Sequence, residues 1–136
     1  MSNRIKTTQK YGLDILILDY SNLKGDEFVT ELRNTTNFIL SQPQGYNFDV
    51  TISDNTGSRM NDDVKKALKE MDEAMIRHFG ADYKENNKDS MAIPIGISGI
   101  QKIIAGFMIR DVKFVNTFDE AYNYIQKNHP KVKKAS

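Results

Sequence analysis

Asp19 and Asp54 are the acidic residues best placed to do chemistry, because each ends an apolar run and is followed by small polar residues, in Asp19-Tyr20-Ser21 and Ser53-Asp54-Asn55. Ser98-Gly99 and Asn116-Thr117 end two further runs in the same way. In an open α/β sheet, ligands collect outside the carboxyl ends of the strands. Two carboxylates on neighbouring strand ends, with a hydroxyl on a third, could hold Mg²⁺ and an acyl-phosphate for phosphoryl transfer. The same residues also make ordinary turns, in which Asp19 and Asp54 accept backbone amides and Ser98 caps a helix. The turn reading is the stronger one. A phosphoryl-transfer site normally needs a lysine at a strand end as well, and Lys113 falls within or before the last strand.

The other chemistry-bearing groups are sparse. Gly96-Ile97-Ser98-Gly99 aims backbone amides from a helix start, a place that attracts phosphate or carboxylate, yet two glycines around a serine are also what a tight strand-to-helix turn needs. Neither G-x-G-x-x-G nor G-x-x-x-x-G-K-[ST] occurs. The two histidines, His78 near the end of a long helical pattern and His129 in the C-terminal tail, have no ligand-spaced partner, which argues against a metal site or a Ser–His–Asp triad. No cofactor is indicated. Met60, Met71, Met75, Met91 and Met108, with Phe79 and Phe107, could line a pocket for a lipid or another apolar ligand, although methionine at helical spacing more often fills core gaps.

The overall balance narrows the classes further. In 136 residues, 19 basic against 18 acidic side chains leave a net charge of +1, which does not suggest a general nucleic-acid-binding surface. With no cysteine, disulfides, thiolate metal sites and thiol nucleophiles are excluded. The longest apolar runs, Ile15–Leu18 and Met91–Ile95, fall far short of the roughly 20 residues of a membrane span. The polar start Met1–Lys10 carries no signal-peptide pattern, so the expected location is the cytoplasm.

The elements that would position these residues follow from periodicity. Arg4–Gln9, a turn at Lys10-Tyr11-Gly12 and Leu13–Tyr20 form a hairpin whose second strand is buried on both faces. Phe28, Val29, Leu32, Ile39 and Leu40 recur at three and four residues, with Thr35 and Thr36 filling the missing turn, as one helix face does. Tyr46–Ser53 alternates as a half-buried strand. Asn61-Asp62-Asp63 caps a long helix that runs from Val64 to Phe79. Ser90–Ile97 is the next strand, where Pro94 cannot donate to a ladder. S-x-x-Q at Ser98–Gln101 opens a helix, Val112–Val115 is a fifth strand, and T-x-x-E at Thr117–Glu120 opens a last helix ending near Asn128. Strands separated by helices need crossovers, which predicts an α/β fold: a mixed, mostly parallel five-stranded sheet with about four helices. Residues 1–128 form one domain in this reading, and 129–136 a basic, disordered tail.

Several of these segments together resemble a known family. Phe48–Ser53, the acid-capped helix after it, the run G-I-S-G-I-Q-K-I-I at Gly96–Ile104 and F-D-E-A at Phe118–Ala121 are similar to the SpoIIAA-like branch of the STAS domains. That branch is kin to anti-anti-sigma factors and, in fold, to Sec14-type lipid-binding domains, and the resemblance spans Tyr11 to Lys127. It implies a non-enzymatic regulatory domain that binds a protein partner or its own copy. Through the Sec14 kinship it also raises the alternative of a small carrier for an apolar ligand. Anti-anti-sigma factors carry a phosphorylated serine in a D-S-[ST]-G loop, whereas this chain has Asp54-Asn55-Thr56-Gly57, leaving Thr56 and Ser58 as the only nearby hydroxyls. The candidate binding residues are therefore Asp19, Asp54, Asn55, Thr56, Ser58, Ser98 and Gly99.

Overall fold

The computed structural model describes residues 3–42, 48–80, 90–97 and 112–135. Tyr11 and Gly12 both take positive φ, 57° and 77°, and this turn folds strand β1 (Ile5–Lys10) back onto β2 (Leu13–Asp19) with Lys10 opposite Leu13. Two consecutive left-handed residues match the twist of a two-residue hairpin, and glycine at the second lowers its cost. Strands β3 (Val50–Asp54) and β4 (Met91–Ile95) follow in parallel, giving a sheet in the order β1-β2-β3-β4 with only β1 antiparallel. The expected hairpin and parallel crossovers are present.

Helix α1 (Gly25–Leu40) joins β2 to β3, and α2 (Asp62–Phe79) precedes β4. In α1, Thr35 and Thr36 fill the gap in the apolar stripe by bonding back to the backbone, Thr35 Oγ1 to Glu31 O at 3.0 Å and Thr36 Oγ1 to Leu32 O at 2.9 Å. The Asn61 side chain caps α2 by accepting the amide of Val64 at 2.9 Å, while Asp62 and Asp63 lie at the positive end of the helix dipole. Helix α3 (Phe118–Asn128) begins at Thr117, whose hydroxyl accepts the amide of Glu120 at 3.1 Å. Glu120 reaches back to the amide of Asn116, one residue before the cap. No helix among the described residues is long and apolar enough to cross a membrane.

The sheet separates two cores. Leu13 and Ile15 of β2, Val50 and Ile52 of β3, and Met91, Ile93 and Ile95 of β4 pack with Ala121 and Ile125 of α3. Leu16 and Leu18, on the opposite face of β2, pack with Phe28 and Leu32 of α1 and Val64 and Ala67 of α2. Strand β2 is thus buried on both faces, as its unbroken apolar run requires.

Two expectations are corrected. The segment expected as a fifth strand makes only two isolated parallel bridges to β4, Ala92 with Val112 and Ile95 with Val115. The amide of Lys113 donates to Ala92 O, that of Val115 to Pro94 O and that of Gly96 to Val115 O. A continuous ladder would also need an N–H at position 94, and proline has none. The tail is not a loose end either. Residues Pro130–Ala135 form a short helix, α4, and His129 before it is fully buried. Pro130 occupies the first helical position, where a missing amide hydrogen costs nothing. The helix expected from Ser98 lies outside the described residues.

Candidate functional site

Asp19 and Asp54 stand side by side at the carboxyl ends of β2 and β3, as directly paired residues of the parallel register. Each, however, is turned onto its own loop. Asp19 Oδ1 accepts both the hydroxyl and the amide of Ser21, and Arg4 Nη1 lies 3.5 Å away. Partial burial raises the Asp19 pKa, but the two Ser21 bonds, with the charges of Arg4 and Lys6, outweigh this and hold it below the ordinary 3.8. Asp54 Oδ1 accepts the amide of Thr56 at 3.1 Å, a turn closed by an aspartate side chain.

The Asp54–Ser58 loop is held from several sides. Asn55 is buried, donating to Ser53 O and Ser53 Oγ through its side chain and to Ile95 O through its amide. Its carbonyl accepts both the amide and the hydroxyl of Ser58, and Thr56 O accepts the amide of Asn22. Gly96, at φ 73°, brings the end of β4 so close that a Cβ there would sit 2.8 Å from Thr56 Oγ1. Asp19, Asp54, Asn55, Thr56 and Ser58 are thus brought together, but as a hydrogen-bonded turn in which Thr56 is the exposed one of the five. Ser98 and Gly99 lie outside the described residues. Among the described residues no group of three or more acids or histidines could hold a metal ion.

Because the Asp19 pKa is depressed by folding, its carboxylate contributes stability that is present above about pH 4 and is lost as pH falls through the folded-state value. Asp19→Asn should therefore be less stable than wild type at pH 7, with the difference shrinking as pH is lowered below 4. Urea midpoints measured from pH 7 to pH 2.5 check this, and a difference that does not change with pH would mean the carboxylate has no such partners.

A second site lies beneath the same strand ends. Strand pleating sends Val50, Ile52, Met91, Ile93 and Ile95 to the α3 face, which leaves Thr51 and Ser53 of β3 and Ala92 and Pro94 of β4 facing α1 and α2. These small side chains do not fill the layer. A cavity of about 200 Å³ remains, walled by Leu32, Thr35 and Ile39 of α1 and by Leu68, Met71 and Met75 of α2. Met60, Leu18 and Tyr20 add to the wall, and Asn55 and Asp72 bring further polar groups to the lining.

Three of the methionines proposed as pocket residues, Met60, Met71 and Met75, do line this cavity, while Met91 belongs to the opposite core. Met108 and Phe107 lie outside the described residues. The lining is mostly apolar, and its polar residues include a buried hydroxyl pair, Tyr20 Oη and Thr35 Oγ1, 2.7 Å apart. Burial, opposed by the bond to Thr35 and reinforced by the charge of Glu31, pushes the Tyr20 hydroxyl well above its ordinary pKa and keeps it neutral. Sequence reasoning missed Tyr20 and Thr35 as wall residues. The sequence carries the alternation of large and small residues along β3 and β4, but not the placement of α1 and α2 over the small ones.

Compared with family models, with curated proteins and with solved structures, the chain finds no match.

Proposed function

We propose that this chain is a non-enzymatic α/β binding domain of the SpoIIAA-like STAS type, and that it holds a small apolar molecule between its sheet and helices α1 and α2. The observation that carries this reading is the cavity, whose floor of Thr51, Ser53, Ala92 and Pro94 is too small to close against Leu68, Met71 and Met75. At about 200 Å³ it is below the 300–1,000 Å³ of drug-sized ligand pockets, yet larger than an engineered apolar cavity of about 150 Å³ that takes benzene. Its walls therefore suit a single ring or a short branched chain. The strand-end carboxylates favour the turn role over phosphoryl transfer, since Oδ1 of each accepts a turn amide.

Titrating the ¹⁵N-labelled chain with toluene tests the proposal. Saturable amide shifts clustered at Tyr20, Thr35, Leu68 and Met71 are expected, together with a thermal midpoint that rises with toluene concentration. An unchanged spectrum up to the solubility limit would overturn it.

A second reading, contact with a protein partner or another copy, is favoured by Thr56, which stands exposed on a turn held by backbone bonds from Asn22, Ser58 and Asn55. Native mass spectrometry at several concentrations separates the two. Integral multiples of the chain mass support self-association, and a purified chain at its bare mass that still binds toluene supports the cavity reading.

A further inference from the structure

The Tyr20–Thr35 pair says more about the occupant. Resting on the apolar-ligand reading, we infer that the cavity selects a molecule bearing one hydroxyl, an alcohol or phenol, over the hydrocarbon of the same shape. Thr35 is fully buried and Tyr20 nearly so, at 6% exposure, and both are on the cavity wall. Thr35 Oγ1 lies 3.0 Å from Glu31 O and 2.7 Å from Tyr20 Oη.

Thr35 has one proton to give, so the chain of bonds can run in two ways. In the first, Thr35 donates to Glu31 O and Tyr20 donates to Thr35, leaving the Tyr20 oxygen with acceptor capacity and no donor. In the second, Thr35 donates to Tyr20, and the phenol proton of Tyr20 is left to donate. Each arrangement leaves the pair one open hydrogen-bond position on a mostly apolar lining. A hydroxyl fills either one, since it both donates and accepts, and a methyl group fills neither.

Of the other polar side chains on the lining, Asn55 Nδ2 donates to Ser53 Oγ at 3.0 Å, and Thr51 and Asp72 lie on the lining as well. The Tyr20–Thr35 pair is thus a buried polar point on a mostly apolar lining. Sites built to pair a ligand hydroxyl discriminate against the analogue lacking it, because their own buried group is then left unpaired.

The test compares toluene with phenol, which have equal numbers of heavy atoms, by NMR titration of wild type, Tyr20→Phe and Thr35→Val. Tyr20→Phe keeps the ring that packs 5.3 Å from Phe28, and its toluene binding reports that the cavity is intact. The ratio of toluene to phenol dissociation constants is expected to fall about five- to tenfold in Tyr20→Phe, the equivalent of one ordinary hydrogen bond. Thr35→Val should lower it in the same direction and serves if Tyr20→Phe does not fold. A ratio unchanged in both variants, with toluene still bound, would overturn the hydroxyl selection and leave the apolar site standing. Failure of both ligands to bind wild type would overturn the site itself.

Discussion

Ile93→Ala is expected to destabilise the domain by about 2–5 kcal/mol, while Ala92→Leu, at the next residue, should stay within about 1 kcal/mol of wild type or exceed it. The two side chains are both buried, at 0% and 4% exposure, so burial alone would predict that both positions resist change. What separates them is the strand pleat. Ile93 sits among Ile15, Ile52 and Ile125 in the core under α3, where truncation leaves a void that close-packed neighbours cannot collapse into. Ala92 lines the cavity under α1 and α2, where three added carbons enter space already empty.

Inserting methylenes into a packed core ordinarily costs about 1–3 kcal/mol, so tolerance at position 92 would itself be evidence of the void. The same variant should weaken toluene binding at least tenfold, because the leucine occupies the ligand's volume. Urea unfolding and the toluene titration read the two effects separately. A loss of 3 kcal/mol or more in Ala92→Leu would mean that the layer is filled, and the binding proposal would fall with it.

Most of the architecture was legible because local signals and long-range demands agree in this chain. The unbroken Ile15–Leu18 run announced a strand covered on both sides, Asn61 and Thr117 announced helix starts, and both caps are made as their spacing required. Pro94, which cannot donate to a ladder, implies a bulge, an edge or a locally unpaired amide. The resulting gap decides that the 112–115 segment bridges rather than ladders, but which side of β4 the missing donor faces depends on sheet order, and sequence spacing does not carry that.

The candidate site was legible in a different measure. Asp19 and Asp54 were correctly taken to neighbour each other, and the competing turn reading is the one their bonds support. The cavity depends on subtraction, on what small residues fail to fill once two helices are laid over them. Thr51, Ser53, Ala92 and Pro94 look like ordinary strand residues until the opposing helices are known, and Tyr20 looked like part of a strand-end turn rather than half of a buried hydroxyl pair.

His129→Ala is expected to cost about 2–4 kcal/mol, and removing residues 129–136 should cost at least as much, whereas a disordered tail would be removable without effect. The argument runs through Asp49. Its Oδ2 accepts the amide of Asp14 at the start of β2, its carbonyl accepts the amide of Met91 at the start of β4, and its Oδ1 pairs with Lys131. The fully buried His129 ring approaches the same carbonyl, with Nε2 at 3.3 Å, and its Nδ1 accepts the amide of Lys131.

An Nδ1 that accepts must be unprotonated, which places the ring proton on Nε2 and makes the Asp49 carbonyl its acceptor. The C-terminal helix is thus fastened to the amino ends of three strands through one residue, at the end of the sheet opposite the cavity. Lys131→Ala supplies the contrast. Its side chain is 59% exposed, and Asp49 keeps the bond from the Asp14 amide without it, so losing the ion pair should cost about 1 kcal/mol or less. Equal losses in the two variants would mean that charge fastens the tail, and the larger loss in His129→Ala, read as a shift in urea midpoint at unchanged slope, that the buried ring does.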